Sequence, residues 1–249
     1  MKHLRRILFL MILALAGIVG YKIYTDGIEV ATENLTPQAV VSTANGLKIK
    51  LQYGGDRLPD EASVPVPVVM QNPELPTGCE STSLTMDLNT LGFSVEKTTI
   101  VDQYLVRATE DYKVGFSGDP YSSEGAGIWP PGLARTARKY LREQGTMLWA
   151  HDLSGDSLEK LYPYIAAGYP VLLWVTSDYE SPNFTGYAYD YHGKTYQWYG
   201  NEHCVVLAGY SKINNTVTLV DPLQGELTQD ASAIANIYSE VGSYAIAIY

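Results

Sequence analysis

The apolar positions change rhythm along the chain. The first run is continuous: ILFLMILALAGIVG at residues 7–20, extended by YKIY to Tyr24. Residues 25–62 have no sustained period. TDGIEVATENLTPQAV is weakly patterned, GLKIKLQYGG alternates and predicts a short strand, and DRLPDEAS predicts a loop. From Val64, VPVPVVMQ is extended, because its two prolines disfavour helix and confine the segment to an edge or lead-in. NPELPTG is a turn. Between Cys79 and Leu91, Leu84, Leu88 and Leu91 recur at helical spacing, with Gly92 placed to stop the helix. Residues 98–108 predict a second helix, FSGDPYSSEGAGIWPPG a long loop, and Pro131 the first turn of a helix reaching about Glu143. A further helix runs from Ser157 to Ala167 and is closed by Gly168.

Beyond Gly168 the period shortens. PVLLWVT predicts a buried strand, residues 178–194 a loop rich in Tyr and Gly, and KTYQWY, HCVVLAGY and TVTLVD three strands. Asn214-Asn215 suits a hairpin turn between the last two. DASAIANIYSEV is a short helix and SYAIAIY a closing strand. Helices first and an antiparallel sheet afterwards predict an α+β fold. The expected organisation is an N-terminal segment 1–24, a stalk or N-terminal extension 25–62, and a compact domain 63–249.

Charge sharpens the N-terminal picture. Residues 1–24 hold Lys2, Arg5, Arg6 and Lys22 and no acid, whereas the whole chain has 17 bases and 27 acids. A basic cluster ahead of an apolar run is an export signature. Ile7–Tyr24 spans 18 residues with one interior charge, near the ~20 that cross a bilayer. We therefore expect a single-pass signal-anchor at 7–24, with the positive flank inside and the body outside. Cleavage near Ala14-Leu15-Ala16 would give secretion instead. Without the first 24 residues, 13 bases face 27 acids, a formal −14. That surface repels phosphate backbones, so no nucleic-acid partner is expected.

Composition removes other classes. Apolar residues are 46% and charged ones 18%, which excludes a disordered or coiled-coil chain. Two cysteines, Cys79 and Cys204, are too few for a disulfide scaffold, although one bridge is arithmetically possible.

Cys79 stands where chemistry could be local. Thr77-x-x-Glu80 has the form of a capping box, which would make Thr77 the N-cap and place Cys79 in the first turn. There the helix end favours thiolate. Packing alone also accounts for such a cysteine. A nucleophilic thiol needs a base. His3 lies in the basic flank, His151 and His192 in polar loops, and His203 at the mouth of the apolar strand HCVVLAGY, from which it could face a cleft or simply water. Asp221 ends the next strand. It could orient His203, or cap the turn before Pro222. Counted from Asn214-Asn215 the two are not symmetric, so direct opposition would need a bulge near Gly209 or a longer excursion. Gln71, where VPVPVVMQ enters the turn, could supply a side-chain amide to an oxyanion, or be an exposed strand end. On a strand His203 and Cys204 point to opposite faces, so a Cys79–His203 dyad and a Cys79–Cys204 disulfide exclude each other. The aromatic run of Tyr179, Phe184, Tyr187, Tyr189, Tyr191, Tyr196, Trp198 and Tyr199 could line a cleft or cover a core.

Taken together, VPVPVVMQNPELPTGCESTSLTMDLNTLGF, the loop FSGDPYSSEGAGIWPPGL, HCVVLAGY and the VDP strand end resemble the papain-like cysteine peptidases related to the bacteriocin-processing, double-glycine-leader peptidases. The match is to their stand-alone exported branch and covers about Val64 to Tyr249. The resemblance implies a papain-like fold, with Cys79 as nucleophile, His203 as base, Asp221 as orienting acid and Gln71 as oxyanion donor. It implies no metal and no organic cofactor. Leader peptidases are fused to an exporter with an ATP-binding domain, and no phosphate-binding loop is present in this sequence, so their substrate is not carried over.

The expectation is a membrane-anchored extracytoplasmic cysteine peptidase acting on a peptide or protein, cell-wall-associated substrates included. The alternatives are a non-catalytic surface module binding peptide or cell-wall polymer, and a cell-wall amidase or transpeptidase.

Overall fold

A computed structural model describes residues 35–249. The expected signal-anchor at 7–24 lies outside these residues. Among the described residues, no helix is long and apolar enough to cross a membrane.

The longest strand organises the domain. β6 (Glu202–Ser211) sits within an antiparallel sheet of order β2–β9–β3–β6–β7–β8, whose other members are β2 (Ala150–Asp152), β3 (Val171–Thr176), β7 (Thr216–Asp221), β8 (Gly225–Asp230) and β9 (Ala245–Ile248). β1 (Glu61–Ser63) adds to the far end of β6, pairing with Gly209–Ser211. β3 is wholly buried, as its unbroken apolar run predicts. Helix α2 (Cys79–Thr90) packs on β6 and β3 and is itself buried from Cys79 to Leu88. Its many small hydroxyls make this possible. Thr82, Thr85 and Thr90 donate to the carbonyls of Gly78, Ser81 and Met86, and Ser83 donates to the Cys204 carbonyl across the interface. Helices α3 (Pro130–Glu143), α4 (Leu158–Ala166) and α5 (Ala231–Glu240) follow the predicted bounds closely.

Four expectations are corrected. DRLPDEAS is not all loop, since Glu61–Ser63 is β1. GLKIKLQYGG is not a strand: Pro37–Tyr53 forms helix α1, capped by Thr36 with Pro37 in its first turn. The alternation of Leu47, Ile49 and Leu51 masks a helical stripe, Ala39, Ser42, Gly46 and Ile49, which is the face that packs. α1 lies against α4, and a side chain at Gly46 would come within 2.8 Å of the Tyr249 ring. Residues 98–108 are not one helix. Lys97–Thr99 continues as a wider turn, Ile100–Tyr104, and stops. Beyond it Val106 and Ala108 exchange backbone hydrogen bonds with Phe116 instead. Residues 178–194 are not all loop: β4 (Phe184–Tyr191) forms a separate hairpin with β5 (Lys194–Tyr199). Its turn is His192-Gly193, both at positive φ, the arrangement that matches strand twist.

Candidate functional site

Cys79, His203 and Gln71 line one cavity of about 660 Å³. One wall comes from Pro76, Thr77 and the loop residues Ser117, Ser123, Gly125 and Ala126. The other comes from the hairpin, through Thr185, Tyr187, Tyr189, Trp198 and Tyr199. Part of the aromatic run therefore does line a cleft. Tyr196 instead packs on Trp129 and Tyr244.

Asp221 is buried beneath His203. The His203 ring meets it through Nε2, at 2.8 Å from Oδ1. A bulge lies between Leu207 and Gly209 but shifts the register by one residue only; Val206 faces Val220, so Asp221 stands two positions off His203 and the two side chains meet diagonally. The Asp221 carboxylate also accepts from the Leu223 amide at 2.6 Å and the Tyr179 hydroxyl at 2.7 Å. Burial works to raise its pKa, but the hydrogen bond and charge of His203, helped by Leu223 and Tyr179, outweigh it and hold the carboxyl below its ordinary range. Tyr179 was not singled out by the sequence as an Asp221 partner. Its signal is conformational, a non-glycine residue at φ 57°.

Gln71 is buried, not an exposed strand end. Its Nε2 donates to the Pro76 carbonyl at 2.9 Å, leaving a second amide hydrogen free to donate. The Gln71 backbone carbonyl accepts from Lys97 Nζ at 2.8 Å, and Lys97 also pairs with Glu74. Lys97 thus anchors the backbone that carries the amide, a role invisible in the sequence.

The thiol side departs from expectation. Thr77 is not the N-cap: Gly78 is, with no side-chain cap, and Cys79 is the first helical residue. Thr77 Oγ1 donates to the carbonyls of Ser122 and Asp119, and Glu80 Oε1 accepts from the Ile128 amide at 2.6 Å. The two residues of the apparent capping box thus bind the 117–128 loop rather than the helix end. Cys79 Sγ donates to Glu80 Oε2 at 3.4 Å. Among the described residues, no hydrogen bond joins it to His203. Both cysteines are free thiols, so no bridge forms. The expected depression of the thiol pKa is also corrected. Burial first, then the charges of Glu80 and Glu202, push it well above its ordinary value.

Glu202 escaped the sequence reading altogether. It lies one residue before His203 and also lines the cavity. Burial first and then Glu80 raise its pKa well above the ordinary range, and burial raises that of Glu80 too.

The comparisons agree with this architecture. The sequence is 27% identical over 262 residues to "Uncharacterized protein YvpB" of Bacillus subtilis (strain 168), covering all of this chain and 99% of that one. A crystal structure of a protein from Bacillus anthracis assigned as a C39-like peptidase superposes with TM-score 0.64 at 30% identity, covering 77% of this chain and 98% of that one. A double glycine motif protease from an AMS/PCAT transporter, crystallised with its leader peptide, is more distant: TM-score 0.41, 18% identity, 75% of this chain and 91% of that one. Residues 63–246 match the Peptidase_C39 like family. The α+β fold is thus that of the papain-like cysteine peptidases, and the chain belongs to the Peptidase_C39 like family.

Proposed function

We propose that the protein is an extracytoplasmic cysteine peptidase, tethered through residues 7–24, that hydrolyses peptide or related amide bonds with Cys79, His203 and Asp221. The observation that carries this is one cavity shared by Cys79, Gln71 and His203, with His203 held on the buried Asp221. Because Nε2 is committed to Asp221, Nδ1 is the nitrogen left to take the thiol proton. Sγ must first leave Glu80 Oε2 and turn towards the ring. It then attacks the carbonyl carbon while the Cys79 amide and the second Gln71 amide hydrogen receive the oxyanion. The C–N bond breaks, the amine departs with the proton from His203, and water hydrolyses the thioester.

An acyl probe directed at thiols tests this. Labelling that disappears in Cys79→Ala and falls in His203→Ala, together with peptide cleavage lost in both, is the expected result. A folded wild type that neither labels nor cleaves overturns it. That outcome would favour a non-catalytic peptide- or polymer-binding module, for which the resting thiol, bonded to Glu80 and kept protonated, already speaks. Mass analysis of products in the presence of an amine acceptor separates hydrolysis from transfer. Fractionation of the producing cell, with and without residues 1–24, tests the anchor.

A further inference from the structure

Glu80 is buried and Glu202 half-buried with its Oε1 shut from water, and the steps above give neither carboxyl a proton to move. Cys79 Sγ and one oxygen from each carboxyl lie within 4.8 Å of one another. Two ionised carboxylates so close, with little solvent, repel each other strongly. Cations do not offset that repulsion evenly. On Glu80 the nearest basic influence is His203, whose Nε2 already serves Asp221; on Glu202 the acting charge is that of Glu80 itself. The other titratable groups facing the pair are Cys79, Cys204 and the buried Tyr199, all anionic when ionised.

Hydrogen bonding breaks the symmetry. Glu80 accepts from two donors, the Ile128 amide through Oε1 and the Cys79 thiol through Oε2. Glu202 Oε1 is buried and has no partner. A carboxylate is stabilised by donors and a neutral acid tolerates their lack, so the proton belongs on Glu202. Gly127 fits this account. Its φ is +117°, and a Cβ there would stand 2.6 Å from Glu80 Oε1 and 2.8 Å from Glu202 Oε2, so the loop backbone closes directly over the pair. The Ile128 carbonyl is held as well, by Trp174 Nε1 at 3.2 Å.

We propose that Glu80 and Glu202 are a one-proton carboxyl pair, Glu80 anionic and Glu202 neutral, that positions the resting Cys79 thiol and the Gly127–Ile128 wall of the cleft. The neutral Glu202 limits the charge beside the sulfur to one. The anionic Glu80 holds the thiol as a donor until it turns to His203. The positioning role rests on Cys79 being the nucleophile; the charge state of the pair does not, and is measured without any turnover.

The experiment is infrared spectroscopy of the full wild-type chain at pH 7, with glutamate labelled by heavy carbon at its side-chain carboxyl. A protonated carboxylic acid band that moves with the glutamate label is expected, and it is absent from Glu202→Gln. Asp87 is fully buried with neither oxygen partnered, so it can contribute its own acid band, but that band does not respond to labelled glutamate. Only carboxylate bands responding to the label would overturn the proposal, and this readout needs no variant to fold. As the positioning readout, Glu80→Gln keeps an acceptor for Ile128 and replaces the anion beside the sulfur by an amide. Cys79 alkylation at pH 7 should then quicken by roughly tenfold, about one pKa unit. An unchanged or slower rate in a folded variant would refute the hold on the thiol, whether or not peptidase activity is found.

Discussion

The two halves of the cleft bury carboxylic acids under opposite terms. On the β6–β7 side, Asp221 receives the His203 ring, the Leu223 amide and the Tyr179 hydroxyl, and is held ionised. Where β6 meets α2, Glu202 at the start of β6 stands beside Glu80, with one oxygen shut from water and unpartnered and a carboxylate for a neighbour, and is pushed towards the neutral acid. Burial is common to both sides, so it cannot set the charge. The count of donors aimed at each oxygen does. In the proposed mechanism one side would support a positive imidazole and the other would hold a neutral thiol in reserve.

The comparison breaks most visibly at Asp221. Asp221→Asn preserves shape but removes the acceptor that fixes the His203 ring, and should lower kcat/KM on a peptide substrate by roughly 10³–10⁴-fold, the scale of losing a buried orienting carboxylate. A loss below tenfold would show that His203 does not depend on it. The Glu80–Glu202 side is tested next through its backbone. Gly127→Ala puts a methyl against both carboxyls at a positive φ and should cost roughly 1–3 kcal/mol in urea unfolding. An unchanged midpoint would mean the loop is not closed over the pair.

The smallest effects are the most diagnostic, because their signs oppose. A carboxyl whose pKa is lowered on folding contributes stability above its unfolded pKa and loses it as pH falls through the folded value. Asp221→Asn should therefore destabilise the fold at pH 7 and progressively less towards pH 3. A carboxyl whose pKa is raised costs nothing below its unfolded value and an increasing amount above it. Glu202→Gln should thus match the wild type near pH 4 and gain in relative melting temperature as pH rises from 5 to 8. Parallel pH slopes for the two variants would erase the distinction between the sides.

Much of the fold was legible because periodicity reports burial directly. The run PVLLWVT, the leucines of α2 and the Pro131 and Gly168 boundaries all correspond to observed elements. Legibility failed where two periods coexist. In α1 the alternating Leu47, Ile49 and Leu51 hid the sparser stripe that packs, because that stripe is built from Ala, Ser and Gly. In β4 the alternation of Tyr187, Tyr189 and Tyr191 was present, but Gly186 and the largely exposed faces gave it the look of a loop. At the site, Cys79, His203, Asp221 and Gln71 could be named from chemistry and resemblance; the cavity gathers Cys79, His203 and Gln71, and Asp221 lies buried against the His203 ring. Glu202 could not, since a glutamate beside a strand histidine has no local signature. Thr77 and Glu80 were misread because a capping pattern and a loop clasp use the same residues at the same spacing.

The sequence by itself determined the α+β order, the helix that carries Cys79, the strand carrying His203 and the acidic body, since each depends on neighbours within a turn or an alternation. Tertiary structure alone decided which way the sulfur faces and which carboxyl keeps a proton. Those depend on donors, charges and lost water brought from α2, β6 and the 117–128 loop, segments separated by tens of residues. Electrostatic energy in a buried site is set by distances of a few ångströms across the fold, not by spacing along the chain.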